Sequence, residues 1–210
     1  MIGQFFFSTP IFCKDIPDSK KLNQHLLKNI KKLKKNDEKG IIRSNLLGWH
    51  SDTNLQDKKE YKQLIEELFK MQQQIYKVER YHPDTEAVLE SMWANINYKY
   101  SHNKNHVHPD SQWSGVYYVK CPINCGDIWF TDPCGERRMH TPIMAEMEDE
   151  SKTPSHNWKE VHYKPTEGRV LMFPSWLAHE VSQNMSDLKG EKGWRVSISF
   201  NFKQRWKYVK

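Results

Sequence analysis

The order of apolar and polar positions divides the chain near residue 90. Before it, apolar residues recur at helical spacing. Leu22, Leu26, Ile30 and Leu33 fall four, four and three residues apart, with Lys and Asn filling the other positions. One face of a helix is therefore apolar and the opposite face solvated. Asp18 or Ser19 caps its start, and residues 36–40 end it. A second helix is predicted from Asp57 to about Val78, with Tyr61, Leu64, Ile65, Leu68, Met71 and Ile75 on one face. Pro83 and Asp84 break it. Residues 4–13 read as a strand interrupted by Pro10, and residues 44–53 as a loop or short strand.

From Met92 the period shortens to two. Residues 93–100 alternate as a strand does, and further strands are predicted at 114–120, 127–131, 161–163, 169–173, 179–182 and 195–202. Short strands this frequent, bounded by Pro, Gly and Asn, predict a sandwich or barrel. The helices would lie outside one sheet. The expected fold class is mainly β with flanking helices, around a jelly-roll core. Residues 1–90 contribute an N-terminal strand and helices packing on a core of residues 91–210, in one integrated domain. Residues 136–159 are polar and aperiodic, and are predicted to form a long loop over one end of the sheets.

Composition narrows the class. With 37% hydrophobic and 12% aromatic residues, the 210-residue chain can build a core, which excludes a disordered chain. The net charge of +6 gathers in lysines at 28–35 and 203–210. No nucleic-acid motif accompanies it, so a solvated basic surface is the simpler reading, and a nucleic-acid partner stays open. No apolar run approaches the roughly 20 residues of a membrane span. Phe5, Phe6 and Phe7 are too short a run for a signal peptide. A cytoplasmic protein with reduced thiols is expected. Cys121, Cys125 and Cys134 lack the C-x-x-C spacing of a zinc site.

Three segments then carry chemistry. In the first, His106, His108 and Asp110 alternate, so on extended backbone they share one side, and Pro109 stiffens the segment. The second brings His179 to a strand start after Phe173, Pro174, Ser175, Trp176 and Leu177. Two imidazoles and a carboxylate on one face of a metal leave open positions, the arrangement of non-haem iron(II) oxygenases. The third places Arg195 on an apolar strand of period two. A guanidinium at an inward position is costly without a partner, and its planar fork suits a carboxylate. Ser197 points the same way. Each segment alone has a structural explanation. Their order and spacing together argue for one site.

These residues carry a resemblance. His106-Val107-His108-Pro109-Asp110-Ser111 followed by residues 114–119, then Trp93-Ala94-Asn95, residues 173–177 with His179, and Arg195 to Asn201 resemble a family of bacterial and phage 2-oxoglutarate/iron(II)-dependent oxygenases. Ser44-Asn45 and Gly48 to Ser51 extend the likeness over nearly the whole chain. The resemblance implies a double-stranded β-helix, with iron(II) and 2-oxoglutarate as cofactors, dioxygen as co-reactant and hydroxylation of an unidentified substrate as the activity. It implies that Arg195, helped by Ser197, holds the distal carboxylate of 2-oxoglutarate. Tyr117 or Tyr118 would add a phenol bond, and Asn95 and Asn97 would face the same cavity. Two ligand sets follow: His108, Asp110 and His179, or His106, His108 and His179. The carboxylate set is preferred because it lowers the charge of the iron site. In the other set Asp110 orients a ligand. A cupin-like metal-binding jelly roll without 2-oxoglutarate is the alternative function, and a homodimer is a possible assembly.

Overall fold

The computed structural model describes residues 7–139 and 154–207. Its elements are β1 (Phe12–Asp15), α1 (Ser19–Asn36), β2 (Asn45–His50), α2 (Lys62–Val78), β3 (Thr85–His106), β4 (Trp113–Lys120), β5 (Ile128–Thr131), α3 (Gly135–Met139), β6 (Glu160–Tyr163), β7 (Arg169–Pro174), β8 (His179–Val181) and β9 (Arg195–Trp206). The helix expected from Asp57 starts at Lys62, because residues 55–57 and 59–61 form two 3-10 turns that bury Leu55 and Tyr61. The strand expected at 93–100 is the middle of β3, which runs for 22 residues. Of the loop expected at 136–159, residues 140–153 lie outside the described residues.

The strands form one antiparallel sheet that curls on itself, in the order β1-β7-β4-β9-β3-β8-β5-β6, with β2 also on β3. β3 makes the curl. Its first part pairs with β9 from Thr85 to Asn97, and its last part pairs with β8 at Asn103 and His106. Between them Tyr100 takes a left-handed φ of 68°, which turns the strand from one half of the sheet to the other. This is the jelly-roll class that the short, frequent strands predict.

Two faces of the sheet meet two different environments, and β9 shows why. Val196, Ile198, Phe200 and Phe202 are fully buried on the outer face. They join α1 and α2, through Leu26, Ile30, Leu64, Leu68 and Ile75, in the larger core. Arg195, Ser197, Ser199 and Asn201 alternate with them and face inward. A smaller core of Val116, Tyr118, Ile128, Phe130, Leu171, Phe173 and Leu177 fills part of the curled interior. The polar inner positions of β3 and β9 leave the rest as a cavity.

Candidate metal centre

The cavity measures about 450 Å³ and is lined by β3, β4, β8, β9 and the segment after β3. His106 ends β3 and sits directly across from His179, which starts β8. His108 follows on the chain that leaves β3, fixed by its backbone N–H donating to the Ser175 carbonyl (2.9 Å). One nitrogen of each of the three rings lies within 4.8 Å of the others. The Nε2 atoms of His108 and His179 are 3.3 Å apart.

Two of the rings are locked from behind. His106 Nδ1 donates to the Lys104 carbonyl (2.7 Å), and His179 Nδ1 donates to the Leu177 carbonyl (2.9 Å). A proton held at Nδ1 leaves the Nε2 lone pair free to bind a metal. Burial keeps the rings neutral. It is the main cause that lowers all three pKa values, to about 4 for His108 and about 3 for His179, with the neighbouring imidazoles adding to the shift in those two. Three neutral nitrogens converging in a polar cavity are the donor set a divalent transition metal requires. Among the described residues this trio is the group that fits a metal. All four cysteines are free thiols and none joins it.

Asp110 lies elsewhere. It is exposed, in a turn, with a φ of 64°. Its carboxylate is not in the cluster that holds His106, His108 and His179.

The inner end of the cavity is cationic. Arg195 is 2% exposed. One guanidinium nitrogen donates to the carbonyls of Cys125 (2.6 Å) and Gly126 (2.9 Å). Among the described residues no carboxylate forms an ion pair with it, and burial pulls its pKa below the ordinary value. Asp127 acts on it from a distance and is itself paired with His162 (2.9 Å), so a buried cation with spare donors and no described carboxylate in contact suits an anionic carboxylate. Ser197 and Tyr118 line the cavity beside Arg195, directly opposite each other on β9 and β4. Tyr117 points the other way, donating to Asn23 Oδ1 of α1 (2.5 Å). Asn95 and Asn97 both line the cavity, across from Ser197 and Arg195 respectively. The fully buried Asn184 donates to the carbonyls of Asn97 and Gly193 (both 2.8 Å), tying the loop before β9 to this end.

Sequence reasoning did not assign a role to Trp93, which stacks on His50 (5.5 Å, 12°) and leans against His108 (5.8 Å). Ser91, Ser199 and Asn201 also line the cavity and were likewise passed over. Strand parity was the available signal: each lies an even number of residues from Asn95 or Arg195.

Comparison with known proteins gives a consistent picture. Residues 91–201 match the family model described as "Putative 2OG-Fe(II) oxygenase". No curated protein sequence matches. Solved structures of similar fold include a Pseudomonas putida prolyl-4-hydroxylase, at 14% identity and a TM-score of 0.59 over 94% of both chains. The carbocyclase SnoK from nogalamycin biosynthesis reaches a TM-score of 0.65 at 10% identity, over 96% of this chain and 84% of its own. HygX from Streptomyces hygroscopicus, solved with nickel and 2-oxoglutarate, gives 0.59 at 10% identity, over 93% and 83%. At these identities the structural likeness is one of fold.

Proposed function

Because the chain belongs to the 2OG-Fe(II) oxygenase family, with iron(II) and 2-oxoglutarate as its cofactors, we propose that His106, His108 and His179 hold the iron and Arg195 holds the distal carboxylate of 2-oxoglutarate. The observation that carries this reading is the convergence of three imidazole nitrogens within 4.8 Å, in the cavity that also contains a buried guanidinium with no ion-pair partner among the described residues. The exposed position of Asp110 favours the three-histidine set over the carboxylate set.

Bound iron supplies the oxidising chemistry, coupling the decarboxylation of 2-oxoglutarate by dioxygen to oxidation of a substrate, which we take to be hydroxylation of a C–H bond. The chain's residues prepare this. The Lys104 and Leu177 carbonyls fix the tautomers of two ligands. Arg195 contributes donors that a dicarboxylate can accept, and the Cys125 and Gly126 carbonyls set the direction of its fork. Ser197 and Tyr118 stand ready to donate hydroxyl bonds next to it. Phe173 and Phe130 pack edge-on and tilted against His179 (4.7 and 5.9 Å), which excludes water from the inner side of that ring.

Iron content and succinate release test the assignment together. We expect one iron per chain in the wild type and in Asp110→Asn. His108→Ala and His179→Ala should lose iron and succinate release. Full iron content in both histidine variants, or its loss in Asp110→Asn alone, would overturn the ligand set.

A further inference from the structure

The inward residues of β3 and β9 form four opposed pairs along the cavity: Asn97 with Arg195, Asn95 with Ser197, Trp93 with Ser199, and Ser91 with Asn201. The oxygenase reading places 2-oxoglutarate at Arg195 and Ser197, on the β9 side of the first two pairs. The last two extend beyond Trp93, which touches the ring of His108. Ser91, Ser199 and Asn201 are half-buried, so this end of the cavity is open to solvent.

Resting on that reading, we propose that the open end is a substrate subsite for a neutral, hydroxyl-rich group, a polyol or sugar, seated against Trp93. Charge is the first argument. Among the described residues no Asp or Glu lines the cavity, so a cationic substrate finds no counter-charge on these walls. Of the two arginines that line the cavity, Arg195 is committed to the cosubstrate and Arg43 is exposed and not part of the floor. The floor formed by Ser91, Ser199, Asn201 and Asn95 carries only hydroxyl and amide groups.

The hydrogen-bond inventory is the second argument. Asn201 Nδ2 donates to Ser91 Oγ and Asn95 Nδ2 donates to Ser199 Oγ, both at 3.1 Å. Ser114 Oγ donates to Asn201 Oδ1 (2.8 Å). Each of the two serine oxygens thus accepts an amide proton, and its own hydroxyl proton goes to no described residue. Asn95 Oδ1 is buried and accepts from none. Asn95 is 6% exposed, and an unmade bond at a buried acceptor is destabilising. Ionised 2-oxoglutarate carries acceptors and no donor, so it cannot satisfy that oxygen. The floor therefore offers donors and an acceptor side by side. A hydroxyl is both donor and acceptor, and adjacent hydroxyls answer such a mixed array.

The third argument is shape. Trp93 is braced by the parallel ring of His50 and leans on His108, and the 9% of it that stays exposed is a fixed apolar edge beside a ligand histidine. The C–H groups of a sugar ring can rest on such an edge while its hydroxyls reach the polar floor. A peptide amide offers one donor and one acceptor pointing apart, which leaves part of the array unmet.

The test is calorimetric titration of the iron-loaded wild-type protein, without oxygen, with and without 2-oxoglutarate. The probes are myo-inositol, glucose and a glucose disaccharide, set against a blocked dipeptide, a nucleoside and a diamine. We expect saturable binding of at least one polyol, and none of the diamine. Asn201→Leu and Trp93→Leu should each weaken polyol binding at least tenfold. Ser91→Ala, a milder change, should weaken it several-fold and serves if either larger change prevents folding. Absence of polyol binding, or equal affinity in the variants, would overturn the proposal, as would tighter binding of the dipeptide or nucleoside. Calorimetry reads polyol binding without the cosubstrate. A protein that binds polyol but never 2-oxoglutarate would contradict the oxygenase reading alone. One that binds 2-oxoglutarate but no polyol would contradict this proposal alone.

Discussion

At the scale of single residues, the centre depends on which nitrogen each imidazole keeps free. Backbone carbonyls hold Nδ1 of His106 and His179, and burial lowers the pKa of both rings. This has a consequence for acid stability. With folded values near 4 for His108 and near 3 for His179, against about 6.5 in an unfolded chain, the unfolded state binds more protons throughout that interval. Stability of the metal-free protein should therefore fall as pH drops from about 6.5 towards 4. Urea denaturation at pH 7, 6, 5 and 4.5 should show the midpoint falling stepwise, with a shallower fall in His179→Asn. A flat profile for the wild type would count against buried neutral imidazoles. Alternation identified His106 and His108 as neighbours in the sequence. It could not decide about Asp110, because parity holds only while the backbone stays extended. β3 ends at His106, and Asp110 enters a left-handed turn. Tyr117 and Tyr118 posed a similar ambiguity. Almost all of β4 is buried on both faces, and a lone inward serine, Ser114, is too weak a pattern to mark its inner side.

At the scale of elements, β9 was legible because from Arg195 to Phe202 its outer positions are apolar and its inner positions polar. β3 was not. Its residues 101–105 are Ser, His, Asn, Lys and Asn, a loop-like composition. They are held extended by partners distant in sequence: Asn45 and Leu46 of β2, and Val181 of β8. Close packing of β4 gives a prediction at this scale. A Cβ at Gly115 would overlap the Phe200 ring and the Leu171 carbonyl oxygen. One is a core side chain and the other is backbone of β7, so neither can simply swing away. Gly115→Ala should destabilise the fold by about 1–3 kcal/mol, lowering Tm by roughly 2–4 °C per kcal/mol for a chain of this size. Thermal unfolding followed by circular dichroism checks it. An unchanged Tm would mean that β4 and β7 separate more easily than their register implies.

At the scale of the whole molecule, the fold brings residues from opposite ends of the core to one cavity. His106 and His179 meet because β3 and β8 pair, and Arg195 faces the same space because β9 pairs with the first part of β3. The sequence carried the residue types and their order. The metal-to-Arg195 relation depends on the curl of the sheet, which no local pattern encodes. The basic surface adds no site to this account. Among the described residues no helix is long and apolar enough to cross a membrane. The central claim is that one cavity binds iron at three histidines and 2-oxoglutarate at Arg195. It is tested most directly by anaerobic titration of the iron-loaded protein with 2-oxoglutarate, wild type against Arg195→Leu, followed by the visible band that forms when the cosubstrate chelates the iron. The account predicts saturation at one equivalent in the wild type. In the variant, iron should be retained and the cosubstrate Kd raised at least tenfold, as loss of a charge-assisted pair worth about 1.5–3 kcal/mol requires. Equal affinity in the two proteins, or no band in the iron-loaded wild type, would contradict it.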